Sequence, residues 1–249
     1  MNLHKLFLTK NECYQLGKGK YITVKGLMLH STGAPNTKLS RYVGPDDGLL
    51  GANQYGNHWN QFRPDGRQVC VHGFIGKLKD GSIATYQTLP WNMRGWHAGG
   101  AANNTHIGVE ICEDGLTDGT YFRAVYQEAV ELFAMLCKEF NLDPLKNIIC
   151  HAEGYKQGIA SNHGDVTYWF TKHGKTMDDF RYDVKEFMEQ EDNDNMRYKY
   201  YDDMPDWAQP TVSKLVKKGY LKGEGSGVLN LTEDTLKVLV INDRAGLYD

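Results

Sequence analysis

The sequence predicts an α/β fold, with a mixed central β-sheet flanked by helices and a small C-terminal helical module. Short apolar runs rich in β-branched residues indicate strands, and stretches with apolar residues every three or four positions indicate helices between them. The polar, unpatterned run 189–195 then separates a last helix from a unit of about 50 residues, a size that is marginal for stability alone. We therefore predict a main domain at 1–190, a linker at 191–197 and a module at 198–249.

The first half of the chain predicts three strands. Residues 1–20 form a polar lead-in, and 21–29 form a buried strand that ends at His30. Residues 34–50 are predicted as a loop and 51–62 as a short helix. Strand 69–75 is joined to strand 82–88 by the turn Lys79-Asp80-Gly81, which is typical of a hairpin.

The second half supplies the most regular helix. Strand 106–112 carries Glu110 among apolar neighbours, and apolar residues from Phe122 to Phe140 repeat at helical spacing until Pro144 stops the pattern. A strand at 147–150 precedes His151, and a last helix covers 177–188. In the module, residues 207–216 and 236–243 are predicted as helices.

Composition excludes some classes of protein. The net charge of −3 lacks the basic excess of a nucleic-acid-binding surface, whereas 12% aromatic residues favour a surface that stacks on sugars or peptides. The five cysteines are odd in number and lack a C-x-x-C pair, so we interpret them as reduced, buried and structural. The N-terminal segment lacks the apolar run of a signal peptide or membrane helix. We expect cytoplasmic synthesis; if the protein acts outside the cell, another factor must release it.

Two histidines and a carboxylate predict a metal site. His30 and His151 each follow an apolar strand, and Asp165 stands in the Gly-rich segment that leaves His151, which we predict to be a loop. Catalytic zinc sites often have two imidazoles and one carboxylate as ligands, with the fourth coordination position open. The alternative is that each histidine is an ordinary satisfied polar residue.

Glu110 is the second anomaly of the sequence. It lies within a strand that otherwise reads as fully buried, and a buried carboxylate without a partner is costly or has a raised pKa. The functional interpretation is a general base beside an activated water. The alternative is a strand that turns this side chain to solvent.

Four segments in order resemble a known family. His30-Ser31-Thr32, the G-W-H-A-G run from Gly95, strand 107–113 with Glu110, and His151 with a downstream Asp are similar to the type-2 class of zinc-dependent N-acetylmuramoyl-L-alanine amidases. This class shares its fold with peptidoglycan-recognition proteins and is common among phage and prophage endolysins. The resemblance covers about residues 21–187. It implies hydrolysis of the amide bond between N-acetylmuramic acid and L-alanine in peptidoglycan by a zinc-activated water.

Site residues carry over from the resemblance one by one. It implies Zn²⁺ ligands His30, His151 and Asp165, and Glu110 as the catalytic glutamate. Many members have Lys two residues before the third ligand; His163 stands there, which implies that His163 stabilises the oxyanion or is itself the third ligand. Position 71, a catalytic Tyr in some members, is Val71. Loop positions predicted to bind substrate are Trp96, His97 and Asn104.

The C-terminal module is similar to half of an S-layer-homology-like unit, through Met204-Pro205-Asp206-Trp207-Ala208 and residues 240–246. The resemblance implies attachment to the cell wall; a homodimer formed through this module is the alternative. We expect peptidoglycan as the partner, with no nucleic acid and no membrane insertion. Two rival functions are a non-catalytic peptidoglycan-binding protein and a zinc peptidase that cuts the stem peptide.

Overall fold

The computed structural model of the chain describes residues 1–191 and 196–249. The described chain divides into two compact units, Met1–Phe187 and Met188–Asp249. The predicted linker 191–197 falls largely on residues 192–195, which lie outside the described residues, so that boundary stays a prediction. None of the helices in the described residues is long and apolar enough to cross a membrane.

The first unit is built on a six-stranded mixed sheet, which confirms the predicted fold class. Its strands stand in the order β1-β4-β3-β5-β2-β6. Strands β3 and β4 form the predicted antiparallel hairpin, and every other neighbouring pair is parallel. The bounds are β1 Leu3–Lys5, β2 Gly26–Ser31, β3 Gly73–Lys77, β4 Ile83–Gln87, β5 His106–Ile111 and β6 Ile148–Cys150.

The strand register assembles one row of polar side chains. His30 on β2 pairs with Glu110 on β5, and Leu29 pairs with Cys150, the last residue of β6. His151 therefore follows β6 at the level of His30. Paired residues on neighbouring strands are about 4.8 Å apart and point to the same face. Three strand ends thus place Glu110, His30 and His151 side by side at the carboxyl edge of the sheet.

Helices surround this sheet. The long helix α2 starts at the N-cap Asp118, whose carboxylate accepts from the amides of Thr120 and Tyr121, and ends at Asn141 in the left-handed conformation. It contacts β3 and β4 through its apolar stripe. The bounds are α1 Glu12–Gly17, α2 Gly119–Phe140, α3 Pro144–Asn147, α4 His151–Lys156, α5 Val166–Lys172 and α6 Met177–Asn195.

Several local predictions are wrong, for identifiable reasons. Residues 51–62 form no helix, because Gly51 and Gly56 take positive φ and the side chain of Asn53 accepts from the amides of Tyr55 and Gly56, which closes a turn. The polar lead-in contains β1 and α1, which are too short and too polar to leave a periodic signal. The segment after His151 begins as helix α4 rather than a loop, and α5 was not predicted.

The cysteines agree with their interpretation. All five lie within the described residues, where each is buried and forms no disulfide.

The second unit has a small core of its own. It contains β7 Arg197–Tyr198, α7 Gln209–Lys217, β8 Leu231–Thr232 and α8 Glu233–Arg244. The short strands pair antiparallel, and Asp243 at the end of α8 accepts from Thr211 and Lys214 on α7. Both predicted helices are therefore present. Its buried apolar cluster is Met204, Ala208, Val212, Leu236 and Val240, and Leu215 on α7 is also buried.

Candidate metal-dependent active site

Three side chains converge at the carboxyl edge of the sheet. Oδ2 of Asp165 lies 3.0 Å from Nδ1 of His30 and 3.0 Å from Nδ1 of His151. The two Nδ1 atoms are 3.1 Å apart. The structure thus brings together the three predicted ligands, and His30 and His151 are buried.

The orientation of His30 is set by His97. Nε2 of His30 lies 2.9 Å from Nδ1 of His97, whose own Nε2 lies 3.1 Å from the carbonyl oxygen of His106. A carbonyl only accepts, so His97 donates from Nε2 and accepts at Nδ1. His30 must then donate from Nε2, which leaves the lone pair of its Nδ1 facing His151 and Asp165.

Space for the His97 ring comes from two glycines. A Cβ atom at Gly108 would lie 2.4 Å from the ring of His97, and one at Gly95 would lie 2.8 Å from it. The side chain of Asn103 accepts from the amides of His97 and Ala98, both at 2.8 Å, and so fixes the backbone there. The position of the His97 ring is therefore fixed by its surroundings, on the side of the ring that faces away from the cluster.

His151 has a comparable partner in Ser161. Its Nε2 lies 3.2 Å from the Ser161 hydroxyl, which also lies 3.2 Å from the carbonyl of Ala98 and 3.1 Å from Nδ1 of His163. The hydroxyl accepts from His151 and donates to one of the other two. Both cluster histidines can therefore donate from Nε2 and direct the lone pair of Nδ1 to the same point, as ligand histidines held by outer hydrogen bonds do.

Asp165 is placed at a cost in backbone conformation. Its φ is +43°, a region uncommon for residues other than glycine, and costs of about 1–3 kcal/mol are typical there. It is the N-cap of α5 yet forms no capping hydrogen bond. Its carboxylate instead faces the histidines. Burial opposes its ionisation, but the two adjacent imidazoles of His151 and His30 outweigh burial and hold the pKa of Asp165 below its usual range.

The protonation states of the cluster near pH 7 favour the binding of a metal ion. Burial lowers the pKa of His30, although Asp165 partly opposes this shift, so the imidazole is neutral near pH 7. A deprotonated carboxylate and neutral imidazoles are the forms that bind a metal ion.

Glu110 stands beside the cluster as an unpaired carboxyl. Its Oε2 atom is shielded from solvent, and no donor within residues 1–191 and 196–249 reaches it. Burial raises its pKa well above the ordinary value, and the charges of Asp165 and Glu113 add to the shift. The strand therefore does not turn Glu110 to solvent, and its carboxyl has the raised basicity that a general base uses.

These residues line one cavity of about 430 Å³. His163 borders it, with its ring centroid 4.7 Å from that of His151. The lining also includes residues that the sequence did not indicate, because their segments have no recognisable pattern: Tyr42, Arg67, Asn103 and Ser161 are examples.

The predicted substrate-binding residues separate in the structure. Trp96 and His97 line the cavity, although His97 is engaged with His30. Asn104 does not line it: its side chain accepts from Arg94 at 2.8 Å and borders a neighbouring depression. Its neighbour Asn103 occupies the predicted place. Val71 is fully buried in the core, so the tyrosine position of some family members supplies no polar group here.

The arrangement fits a divalent metal ion. Four tetrahedral ligands at 2.0–2.1 Å from zinc are about 3.3 Å apart, close to the spacing of the three atoms found here. Two imidazole nitrogens and one carboxylate would leave the fourth position of a tetrahedral ion for water or substrate. Lone pairs at this spacing repel one another unless a proton or a cation lies between them.

Known proteins resemble parts of this chain. The chain is 42% identical over 110 residues to the N-acetylmuramoyl-L-alanine amidase XlyA of Bacillus subtilis strain 168. It is 41% identical over 70 residues to the N-acetylmuramoyl-L-alanine amidase CwlH of the same strain. The matches cover 37% and 26% of this chain. The chain spans 35% of XlyA and 26% of CwlH.

Solved structures support the fold. The Staphylococcus aureus hydrolase AmiA in complex with its ligand superposes with a TM-score of 0.54 at 16% identity, over 75% of this chain and 82% of that one. The PlyG catalytic domain superposes with a TM-score of 0.50 at 18% identity, over 76% and 96%. The family profile described as N-acetylmuramoyl-L-alanine amidase matches residues 20–167, more than half of the chain. This protein therefore belongs to the N-acetylmuramoyl-L-alanine amidase family.

Proposed function

We propose that this protein hydrolyses the amide bond between the lactyl group of N-acetylmuramic acid and L-alanine in bacterial peptidoglycan. One observation carries the proposal: three candidate metal-ligand atoms meet about 3 Å apart in one cavity, beside Glu110, whose Oε2 is shielded and has no donor within the described residues. Family membership and the names of the relatives support this substrate. The site of action is then the cell wall, which the protein reaches after release from the cell that makes it.

Zinc is the proposed ion, held by His30, His151 and Asp165. A set of two histidines and one carboxylate with an open position is found in catalytic zinc sites. The chemistry that zinc supplies there is Lewis acidity, which acidifies water and polarises a carbonyl. His97 and Ser161 keep the two imidazoles in the tautomer that presents Nδ1.

Glu110 carries the protons. Its raised pKa makes the carboxylate a competent base, and no donor within the described residues competes for Oε2. It accepts the proton of the attacking water and later donates it to the leaving nitrogen of L-alanine. The charge of Asp165 contributes to that basicity, because it disfavours a second negative charge nearby.

His163 completes the proposed machinery. Its Nδ1 lies near the Ser161 hydroxyl, and when that hydroxyl donates to it, Nε2 carries the proton. His163 then donates from Nε2 to the oxygen of the scissile carbonyl as negative charge develops. Its position at the cavity border, rather than in the ligand cluster, supports this role over that of third ligand.

The test is digestion of purified peptidoglycan with and without a chelator, followed by identification of the new ends. We expect new N-terminal alanine without new reducing sugars, loss of activity with the chelator and recovery with zinc. New N-termini other than alanine would identify a stem-peptide peptidase instead. Sedimentation with the wall without new ends would identify a binding protein.

We also propose that the second unit holds the enzyme on the wall. Its resemblance to a wall-binding module supports this role, and attachment would raise the local substrate concentration. Removal of 188–249 should reduce sedimentation with intact walls more than hydrolysis of a soluble muropeptide. Equal loss on both substrates, or a change from dimer to monomer, would indicate a structural or dimerisation role.

A further inference from the structure

A basic depression adjoins the metal cavity. It has a volume of about 690 Å³. Three cationic side chains, Lys20, Lys25 and Arg94, line it together with Tyr21, Trp96 and Asn104. No carboxylate belongs to its described lining, although the whole chain has a net charge of −3. We call it the basic pocket.

Backbone hydrogen bonds hold its walls in place. The amide of Arg94 donates to the carbonyl of Lys20 at 2.9 Å, and that of Ile22 donates to Asn92 at 2.7 Å. The amide of Lys25, just before β2, donates to Thr105 at 2.8 Å. The three cations therefore project from segments that are tied to each other and to the sheet.

The guanidinium of Arg94 is preorganised. Its Nε donates to the side chain of Asn104 at 2.8 Å, and Nη1 donates to the carbonyl of Gly95 at 3.2 Å. Its carbon lies 3.9 Å from the ring centroid of Trp96, a close cation–π contact. Within residues 1–191 and 196–249, Lys20 and Lys25 form no ion pair. Their positive charge is therefore not cancelled by the protein.

The basic pocket and the metal cavity share a wall. Trp96 lines both, and of two consecutive residues Asn103 lines the cavity and Asn104 lines the pocket. Lys25 directly precedes β2 and His30 lies five residues further along the chain, a separation of about 17 Å on an extended strand. An extended peptide of about five residues spans that distance, so a stem peptide that starts at the metal cluster must cross Trp96 to place its far end in the pocket.

We propose that the basic pocket is a subsite for the carboxylate groups of the stem peptide, on the leaving-amine side of the scissile bond. This inference rests on the proposed function. The carboxyl of the muramyl lactyl group is consumed in the scissile amide, so the anionic groups of such a substrate lie in its peptide. Arg94 presents a fixed planar guanidinium that can form two parallel hydrogen bonds with a carboxylate. The two lysines add positive charge, and their attraction for a carboxylate depends less on orientation.

The test compares two muropeptides, one with free peptide carboxylates and one with those carboxylates amidated. For the wild-type protein, amidation should raise KM about tenfold and leave kcat unchanged, as expected when binding is lost equally from ground and transition states. The double variant Lys20→Gln/Lys25→Gln should show the same raised KM on the free substrate and little further effect of amidation. The matched control Lys18→Gln/Lys172→Gln removes the same charge from exposed residues outside the pocket, and should behave as the wild type.

The assignment would be overturned if amidation raised KM as much in the double variant as in the wild type. It would also be overturned if the control variant showed the same rise in KM as the double variant. Phosphodiester polymers of the wall could supply the same negative charge. Soluble glycerol phosphate polymer is therefore added as a competitor, and competition that vanishes in the double variant while amidation has no effect would assign the pocket to phosphate instead.

Binding without turnover separates this inference from the proposed function. The free stem peptide should shift the indole N–H resonance of Trp96, assigned with Trp96→Phe, in the wild type and not in the double variant. That result together with no hydrolysis would defeat the proposed function alone. Hydrolysis together with no shift would defeat the subsite alone.

Discussion

His30 and Glu110 are paired residues on adjacent parallel strands, β2 and β5. The pairing alone puts the imidazole of His30, a proposed metal ligand, and the carboxyl of Glu110 on the same face, at the spacing of neighbouring strands. Because the sheet sets this distance, the relation between ligand and base does not depend on a loop. The loops supply what the sheet does not: Asp165, His97 and the residues of the basic pocket.

Glu110→Gln should abolish turnover while keeping the fold and the bound zinc. The amide has nearly the same shape but cannot accept a proton, so kcat should fall at least about 10²–10⁴-fold, the usual contribution of general base catalysis. Zinc content by mass spectrometry and hydrolysis of a soluble muropeptide are the measurements. Glu128→Gln is the matched control, because Glu128 is a buried carboxyl outside the cavity that accepts from the Asn2 amide and the Thr85 hydroxyl. Near-normal kcat in Glu110→Gln would remove it from the mechanism.

Asp165→Ala should lose zinc and activity together, whereas His163→Ala should keep zinc and lose only activity. The carboxylate of Asp165 lies 3.0 Å from both ligand histidines, while His163 contacts Ser161 at the border. One zinc per chain in Asp165→Ala and none in His163→Ala would exchange the two roles. The measurement is metal content after dialysis against a weak chelator.

His97→Phe should weaken zinc binding about 10–100-fold, the usual effect of removing an outer hydrogen-bond partner of a ligand histidine. The phenyl ring fills the space between Gly95 and Gly108 but cannot accept from Nε2 of His30. The readout is the zinc Kd from competition with a chromophoric chelator. His106→Gln is the control, because only the main-chain carbonyl of that residue contacts His97. Unchanged affinity in His97→Phe would mean that His30 keeps its orientation by packing alone.

The sequence predicted the parts of the site that follow from periodicity. His30, Glu110 and His151 each follow or interrupt an apolar strand, so their positions at one sheet edge could be anticipated. Asn104 could not be distinguished from Asn103, because these neighbours in the short 3-10 helix Ala101–Asn104 line different cavities and no pattern in the sequence separates them. His97 was predicted to bind substrate, since nothing in its spacing reveals that its ring accepts from His30. Residues 51–62 have apolar and aromatic residues at helical spacing, but the glycines with positive φ in this segment make it a turn and not a helix.

Acid should destabilise the metal-free protein partly through His72. This side chain is fully buried, accepts from the Gly108 amide at Nδ1 and donates to the Met93 carbonyl from Nε2. Burial lowers its pKa to about 4 from an ordinary 6.5. Between these values the unfolded chain binds a proton that the folded chain does not, so stability is present above about pH 6.5 and is lost as the pH falls toward 4. A shift of this size corresponds to about 3 kcal/mol.

The measurement is urea unfolding of the chelator-treated protein at pH 7, 6, 5 and 4, compared with His72→Gln. The variant should be less stable at pH 7, because it disturbs two buried hydrogen bonds, yet its stability should fall less steeply between pH 6.5 and 4. The slope of the free energy of unfolding against pH should correspond to about one proton fewer. His30, His97 and His106 also have lowered pKa values, so some pH dependence persists in the variant. Identical slopes in the two proteins would show that His72 binds its proton equally in the folded and unfolded states.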